Sequence, residues 1–264
     1  MRSTLKPLED IEIPYVPQAR WSRLFGYVGL PVLIIGGFGH RFGVMGTTAF
    51  FAVAGASFVL AAIALVLSIW SFSEIWRVGD RGFSDATRGL LSSLIALAPA
   101  AIAGYYVVSL PRLSEISTDL ETPPGFVSLE AAETAKARPQ PAIEAQTGAY
   151  PDIATRRFAA PPRIVFAAAE RAARDLGWSF VYRLRSSEGS SRGRIEALVT
   201  TPVFGFVDEV VVRVRTDSIG SRIDIRSRSR IGAHDLGTNA RRIRGFFAAF
   251  DTALKRVQAE GVEG

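Results

Sequence analysis

The sequence predicts an α-helical membrane bundle of three spans, followed by a soluble α+β domain. Three long apolar stretches lie within the first 110 residues, and no stretch of comparable length follows them. Beyond residue 150, runs in which apolar and polar residues alternate lie between two segments of helical periodicity. Consecutive strands pair antiparallel, and both helices bury their apolar stripes on one sheet face. The expected soluble domain is therefore a two-layer antiparallel sheet with two helices, in the order β-α-β-β-β-β-α.

After a polar N-terminal tail, the apolar stretches predict transmembrane helices at about residues 22–39, 45–70 and 90–110. A helix rises about 1.5 Å per residue, so roughly 20 residues cross the hydrocarbon core. The second and third stretches reach that length without a charged residue. The first is shorter and contains Pro31, so a buried or interfacial helix is the alternative for this segment. Small residues within the spans favour close helix packing.

Positive charge predicts the orientation of the spans, because cytoplasmic connections are enriched in lysine and arginine. The tail and the connection between the second and third spans contain most of these residues: Arg2, Lys6, Arg20, Arg23, Arg77, Arg81 and Arg88. The connection between the first two spans has only Arg41, and the twenty residues after the third span have only Arg112. We therefore expect a cytoplasmic N-terminus and a C-terminal domain on the opposite side of the membrane.

The sequence predicts a proline-rich linker at residues 111–149. Proline lacks a backbone N–H and restricts the residue before it, which favours an extended stalk or loop. The prolines of this segment are Pro111, Pro123, Pro124, Pro139 and Pro141. A short helix over residues 129–137 is the alternative for that part of the linker.

The soluble domain is predicted over residues 150–260. A short strand is expected at residues 153–159, and two prolines then open a helix that ends at Gly177. Four strand-like runs follow, at residues 178–185, 194–201, 209–216 and 221–230. A final helix is expected at residues 235–258, because apolar residues recur on one face at Leu236, Ala240, Ile243, Phe247, Phe250, Leu254 and Val257.

Strand alternation predicts that the arginines of the last two strands share one face of the sheet. Successive side chains of a strand point to opposite faces. The residues on this face are Arg213, Arg215, Arg222, Asp224, Arg226, Arg228 and Arg230. One interpretation is a solvated face, which antiparallel sheets commonly have. The other is an anion-recognising surface, because guanidinium groups bind phosphate and carboxylate in bidentate fashion.

The junction between the last strand and the last helix, residues 226–242, is the densest polar segment of the chain. In the structural interpretation it is a strand, a turn and a helix capped by Asp235. In the functional interpretation, the positive end of the helix and the nearby arginines form an anion site. The candidate ligand-binding residues are Arg213, Arg226, Ser229, Arg230, Asp235, Asn239 and Arg242.

Signatures of catalysis are weak in this sequence. The chain has no cysteine, and its two histidines are His40 and His234. Asp208 and Glu209 are adjacent at the start of a predicted strand, so their carboxylates face opposite ways and are poorly placed to act as an acid–base pair. We therefore predict no catalytic residue, no metal ligand and no cofactor.

Four segments of the soluble part resemble domain-of-unknown-function family 1499: EISTDLETPPGF (115–126), AYPDI (149–153), DEVVVRVR (208–215) and SRIDIRSRSRIGAHDLGTNARRIRGFF (221–247). The three spans with GHRFG (39–43) resemble its longer, membrane-anchored bacterial form. The resemblance implies a bacterial envelope protein, and it transfers no activity. Together with the predicted spans and their orientation, we expect a multi-pass protein of the bacterial inner membrane with a periplasmic domain. Its motif positions here are Asp119, Asp152, Asp208, Arg213, Arg226, Ser229, Arg230, Gly232, Asp235, Gly237, Asn239 and Arg242.

Three functions are compatible with these features. The first is an envelope protein whose periplasmic domain binds an anionic ligand or a protein partner through its arginine-rich surface. The second is a periplasmic hydrolase with Asp235 and His234 at the 226–242 junction. The third is a structural subunit of a membrane complex, in which the spans determine specificity. The lipid bilayer is an expected partner, whereas nucleic acid is not, despite a net charge of +6, because the domain is expected outside the cytoplasm.

Overall fold

The computed structural model of the chain describes residues 14–79, 81–128, 138–185 and 192–260. The helix suggested for residues 129–137 lies outside this part of the chain. The described residues form six helices and six strands. They divide into two compact units, Met1–Gly104 and Tyr105–Gly264.

Three long helices make up the first unit and extend a few residues beyond it: α1 (Pro17–Arg41), α2 (Thr47–Val78) and α3 (Phe83–Ser109). All three are long and apolar enough to cross a membrane, judged by length and composition. The three predicted spans lie almost entirely within them. The first apolar stretch, short in the sequence, becomes a helix of 25 residues because the polar segment before it is helical as well.

Small residues allow α1 and α3 to approach each other closely. A Cβ atom added at Gly89 would lie 2.8 Å from the backbone carbonyl carbon of Ser22, and one added at Gly26 would lie 2.9 Å from Cβ of Ser92. Buried serines add hydrogen bonds between helices: the Ser22 hydroxyl donates to the Ala64 carbonyl at 3.0 Å. Close backbone approach and interhelical hydrogen bonds are the usual stabilising interactions of helices in lipid.

The second unit contains a six-stranded antiparallel sheet. Its strands are β1 (Glu115–Ser117), β2 (Arg156–Phe158), β3 (Ser179–Leu184), β4 (Arg192–Thr200), β5 (Val207–Asp217) and β6 (Gly220–Ser229). The order across the sheet is β1-β6-β5-β4-β3, and β2 also pairs with β6. The outer edge of β6 is therefore shared: β2 pairs with its first half and β1 with its second half.

Two helices, α5 (Pro162–Asp175) and α6 (Thr238–Glu260), cover one face of this sheet. Alternate residues of the central strands supply the core beneath them, among them Val212 and Ile223, which are buried. Phe246 and Phe250 of α6 are buried in the same core. The predicted four-strand run and its two helices are confirmed, with boundaries shifted by only a few residues.

The proline-rich segment differs from the extended linker that the sequence predicts. It contributes β1 and a further helix, α4 (Gln140–Ala149). The buried Gln146 of α4 accepts a hydrogen bond from the Ser117 N–H (3.2 Å) and donates one to the Ser117 carbonyl (2.7 Å). The physical reason is that the outer edge of β6 has backbone groups that need partners, and this segment supplies them.

The close approach of α1 and α3 generates a prediction. Gly89→Ala should lower the free energy of unfolding by about 1–3 kcal/mol, because the new methyl group overlaps the backbone of α1. Gly55→Ala is the matched control, since a Cβ atom at this exposed position of α2 meets no atom within 4 Å. Thermal denaturation of the detergent-solubilised protein measures both effects. Equal melting temperatures for the two variants would contradict the packing described here.

Candidate functional site

The arginines predicted to share one side of the sheet do so, on the side opposite to α5 and α6. We call this side the arginine face. Its charged members on β4, β5 and β6 are Arg192, Arg194, Glu196, Glu209, Arg213, Arg215, Asp217, Arg222, Asp224, Arg226 and Arg228, and Arg230 follows just after β6 and pairs with Glu209. Directly opposed residues of antiparallel strands have neighbouring side chains on the same face. The strand register therefore places these charges side by side.

A segment without regular secondary structure, residues 118–128, lies over part of the arginine face, and we call it the covering segment. Its Phe126 is buried and packs with Val211 and Leu198. Glu196, which is fully buried, accepts hydrogen bonds from the last two backbone N–H groups of the segment, at 2.8 and 2.9 Å. The interpretation of this face as solvated is therefore wrong where the covering segment lies.

Two carboxylates neutralise the centre of the arginine face. Asp224 is fully buried and accepts hydrogen bonds from Arg213 (2.9 Å), Arg215 (3.3 Å) and the Thr155 hydroxyl (2.6 Å). Asp119 of the covering segment accepts from the same two arginines, at 2.8 and 3.2 Å. A buried charge is stable only when it is paired and hydrogen-bonded. The covering segment thus supplies part of the charge that keeps these arginines in place.

A second pair of carboxylates neutralises the other end of the same face. Arg226 is 5% exposed and pairs with Glu115 of β1 at 2.6 Å. Glu209 is equally buried and accepts from Arg228 at 2.5 Å and from Arg230 at 2.9 Å. These arginines already have carboxylate partners within the domain.

The N-terminus of α6 is capped by Asp235. Its carboxylate accepts hydrogen bonds from the backbone N–H groups of Gly237 and Asn239, both at 2.9 Å. A carboxylate in this position satisfies first-turn donors and interacts favourably with the positive end of the helix dipole. The structure does not bring Arg226 and Arg230 to this helix end, because both lie on the opposite face of the sheet.

A buried polar network joins the beginning of α6 to the sheet. The side-chain oxygen of Asn239 accepts from the Ser227 hydroxyl and from Arg242, both at 2.7 Å, and its amide donates to Ser229 at 3.2 Å. Arg242 also forms an ion pair with Asp208. Burial raises the pKa of Asp208, and the charge of Arg242 opposes this effect only in part.

The seven predicted ligand-binding residues therefore fall into two groups on opposite sides of the sheet. On the arginine face lie Arg213 and Arg226, and Arg230 joins them through its ion pair with Glu209. On the helix side lie Ser229, Asp235, Asn239 and Arg242. The two groups do not line a common site, and the hydrogen bonds of each connect elements of the fold.

The residues that a hydrolase would use at this junction are engaged in local contacts. Nδ1 of His234 accepts from the Leu236 N–H at 3.0 Å, and its Nε2 lies 3.2 Å from the Leu110 carbonyl oxygen. Both oxygens of Asp235 cap the helix. Within the described ranges, no group of three or more acidic or histidine side chains lies close enough to hold a metal ion. The geometry does not favour the hydrolase alternative.

One feature of the arginine face was missed in the sequence. Arg192, Arg215, Arg222 and Arg157 stand directly opposite one another across β4, β5, β6 and β2. We call these four residues the arginine row. The sequence could have indicated that Arg215 and Arg222 are opposed, because the short turn between β5 and β6 determines the register of these two strands. Arg192 and Arg157 could not be aligned without the pairing of the outer strands.

These features define a class of protein in which three helices, long and apolar enough to cross a membrane, precede a two-layer α+β domain with a partly covered arginine face. A family model described as "Protein of unknown function (DUF1499)" matches residues 115–250. The chain therefore belongs to domain-of-unknown-function family 1499, as its sequence segments predicted. The match begins at the first residue of β1, so the covering segment is part of the family domain. No curated protein and no solved structure matches the chain.

The buried pair of Arg242 and Asp208 generates a second prediction. Arg242→Gln should cost about 3–5 kcal/mol of stability, because it leaves a buried carboxylate without its charge partner. Arg244→Gln is the matched control on the same helix, since its pair with Asp152 is exposed and is worth less than about 1 kcal/mol. Equilibrium urea unfolding, followed by circular dichroism, measures the difference.

A double variant distinguishes loss of the ion pair from loss of packing. Asp208→Leu combined with Arg242→Met removes both buried charges and should recover part of the lost stability. If Arg242→Gln and Arg244→Gln proved equally stable, the role assigned to the buried pair would be wrong.

Proposed function

We propose that this protein is a multi-pass protein of the bacterial inner membrane whose periplasmic domain binds an anionic ligand through the arginine row. The three long apolar helices support the membrane anchor. The excess of arginine and lysine before α1 and between α2 and α3 supports a cytoplasmic N-terminus. With three spans, that orientation leaves the sheet domain on the periplasmic side.

The arrangement of the arginine row is the observation that carries the proposal. Like charges directly opposite each other on neighbouring strands destabilise a sheet. Among the described residues, Arg222 forms ion pairs with Asp119 (3.7 Å) and Asp224 (3.9 Å), and both distances are too long for a hydrogen bond. In Arg215 the Nε atom is buried and, among the described residues, has no hydrogen-bond partner. Arg157, at one end of the row, is paired with Asp217 at 2.6 Å. Arg215 and Arg222 are a directly opposed pair of like charges whose donors are not all used among the described residues, and this supports ligand binding over a purely structural role.

The spacing of the row indicates the chemistry of the ligand. Neighbouring strands lie about 4.8 Å apart, so the four Cα atoms span roughly 14 Å in a line across the sheet. Guanidinium groups recognise phosphate and carboxylate through paired hydrogen bonds. A ligand with several phosphate or carboxylate groups along a chain would therefore contact more than one member of the row.

Replacement of Arg222 tests the binding role. Arg222→Gln should weaken the binding of inorganic polyphosphate by about tenfold, because it removes one charged contact from the row. Binding is measured by calorimetry on the full chain in phosphatidylcholine nanodiscs, at two salt concentrations. The affinity of the unaltered protein should fall at higher salt, since the row is partly exposed.

Arg256→Gln provides the matched control, because Arg256 is an exposed arginine of α6, on the other side of the sheet. It should leave polyphosphate affinity unchanged. An equal loss in both variants would indicate a general effect of net charge, and unchanged binding by Arg222→Gln would rule out the row as the site.

Reporter fusions test the orientation. Alkaline phosphatase folds only outside the cytoplasm, so we expect activity when it is fused after Gly264 and none when it is fused within the connection between α2 and α3. Green fluorescent protein should give the opposite pattern. Fluorescence of a fusion after Gly264, without phosphatase activity, would place the sheet domain in the cytoplasm and exclude a periplasmic ligand.

A further inference from the structure

We propose that a groove beside the start of α1 binds the headgroup and upper acyl region of an anionic phospholipid. The groove has a volume of about 1110 Å³ and lies within the first unit, between the segment before α1, the first turns of α1 and Asp85 of α3. The groove belongs to the first unit and the arginine row to the second. The lipid site is therefore additional to the anion site proposed for the sheet domain.

The wall of the groove is built by the short segment that precedes α1. The Val16 N–H donates to the Arg81 carbonyl, and the Arg81 N–H donates to the Pro14 carbonyl, both at 2.9 Å. Val16 is buried with Ala19 of α1 and Ala86 of α3. This segment is therefore hydrogen-bonded to the connection before α3, and its Tyr15 lines the groove.

The groove has an excess of positive charge. Asp85 accepts hydrogen bonds from the Tyr15 hydroxyl and from Arg23, the latter at 2.7 Å. Arg20 is exposed and lines the groove, and no carboxylate among the described residues lies within ion-pair distance of it. Among the described residues that line the groove, one carboxylate thus faces the guanidinium groups of Arg20 and Arg23, and Asp85 also pairs with Arg88 at 3.6 Å. Within this part of the chain, the charge of Arg20 is available to an external anion such as a phosphate.

The remaining lining is apolar or aromatic, and it continues along the helix from Arg20. Leu24 and Tyr27 follow at four and seven positions, which places them on the same face of α1. Both are about half exposed, at 48% and 53%, and so is Trp21 at 54%. Tryptophan and tyrosine favour the headgroup level of a bilayer. Arg20 at the start of α1, followed by an apolar helix face, matches the charged headgroup and acyl chains of a phospholipid better than a soluble anion.

Native mass spectrometry of the full chain, purified in detergent, tests this site with phosphatidylglycerol and phosphatidylcholine as probes. We expect more bound phosphatidylglycerol than phosphatidylcholine. Arg20→Gln should reduce phosphatidylglycerol binding about five- to tenfold, and Arg20→Lys should retain most of it. Arg77→Gln is the matched control, because Arg77 is exposed near the end of α2, outside the groove, and should leave binding unchanged.

Three results would overturn the proposal. The first is equal binding of the two lipids by the unaltered protein. The second is an equal loss in Arg20→Gln and Arg77→Gln, which would indicate nonspecific attraction to charge. The third is displacement of phosphatidylglycerol by millimolar glycerol 3-phosphate, which would indicate a soluble anion as the occupant. Because none of these readouts uses polyphosphate, they are independent of the ligand proposed for the arginine row.

Discussion

The sheet domain depends on the neutralisation of buried arginines, and Asp224 is at the centre of these ion pairs. This carboxylate has no exposure to solvent and is surrounded by guanidinium groups of its own strand and of β5. Without an acidic partner, these arginines would repel one another across the sheet. Asp119, from a distant part of the chain, forms ion pairs with the same arginines. Electrostatics therefore connects the sheet to the segment that covers it, in addition to the apolar contact of Phe126.

The periodic elements of this chain were predictable from sequence, and the covering segment was not. Strand alternation identified the buried valines and isoleucines and the charged residues on the opposite face, because a two-residue period is a local property. The covering segment has no period, and its prolines are typical of a linker. The packing of its Phe126 on Val211 is seen only in the structure. The partners of β1 and α4 depend on the free edge of β6, and that edge exists only once the sheet has formed.

The candidate site was predicted in part. Arg226 and Arg230 are four residues apart, an even number, so strand alternation places them on the same face. Ser229 is an odd number of residues from both, so it belongs to the other face. The sequence contained this distinction, but closeness along the chain obscured it. The cap of α6 by Asp235 was predictable from residue type and position. The ion pair of Arg242 with Asp208 was not, because it joins a helix to a strand more than thirty residues earlier.

The divided edge of β6 has a consequence for solubility. A long edge strand with unpaired backbone groups is a template for pairing with other molecules, which leads to aggregation. Here two strands of three residues each, taken from separate parts of the chain, occupy most of that edge. A truncated chain that began after the covering segment would lose β1 and expose the second half of β6. Such a fragment would keep most of the hydrophobic core and still be prone to self-association through the uncovered strand.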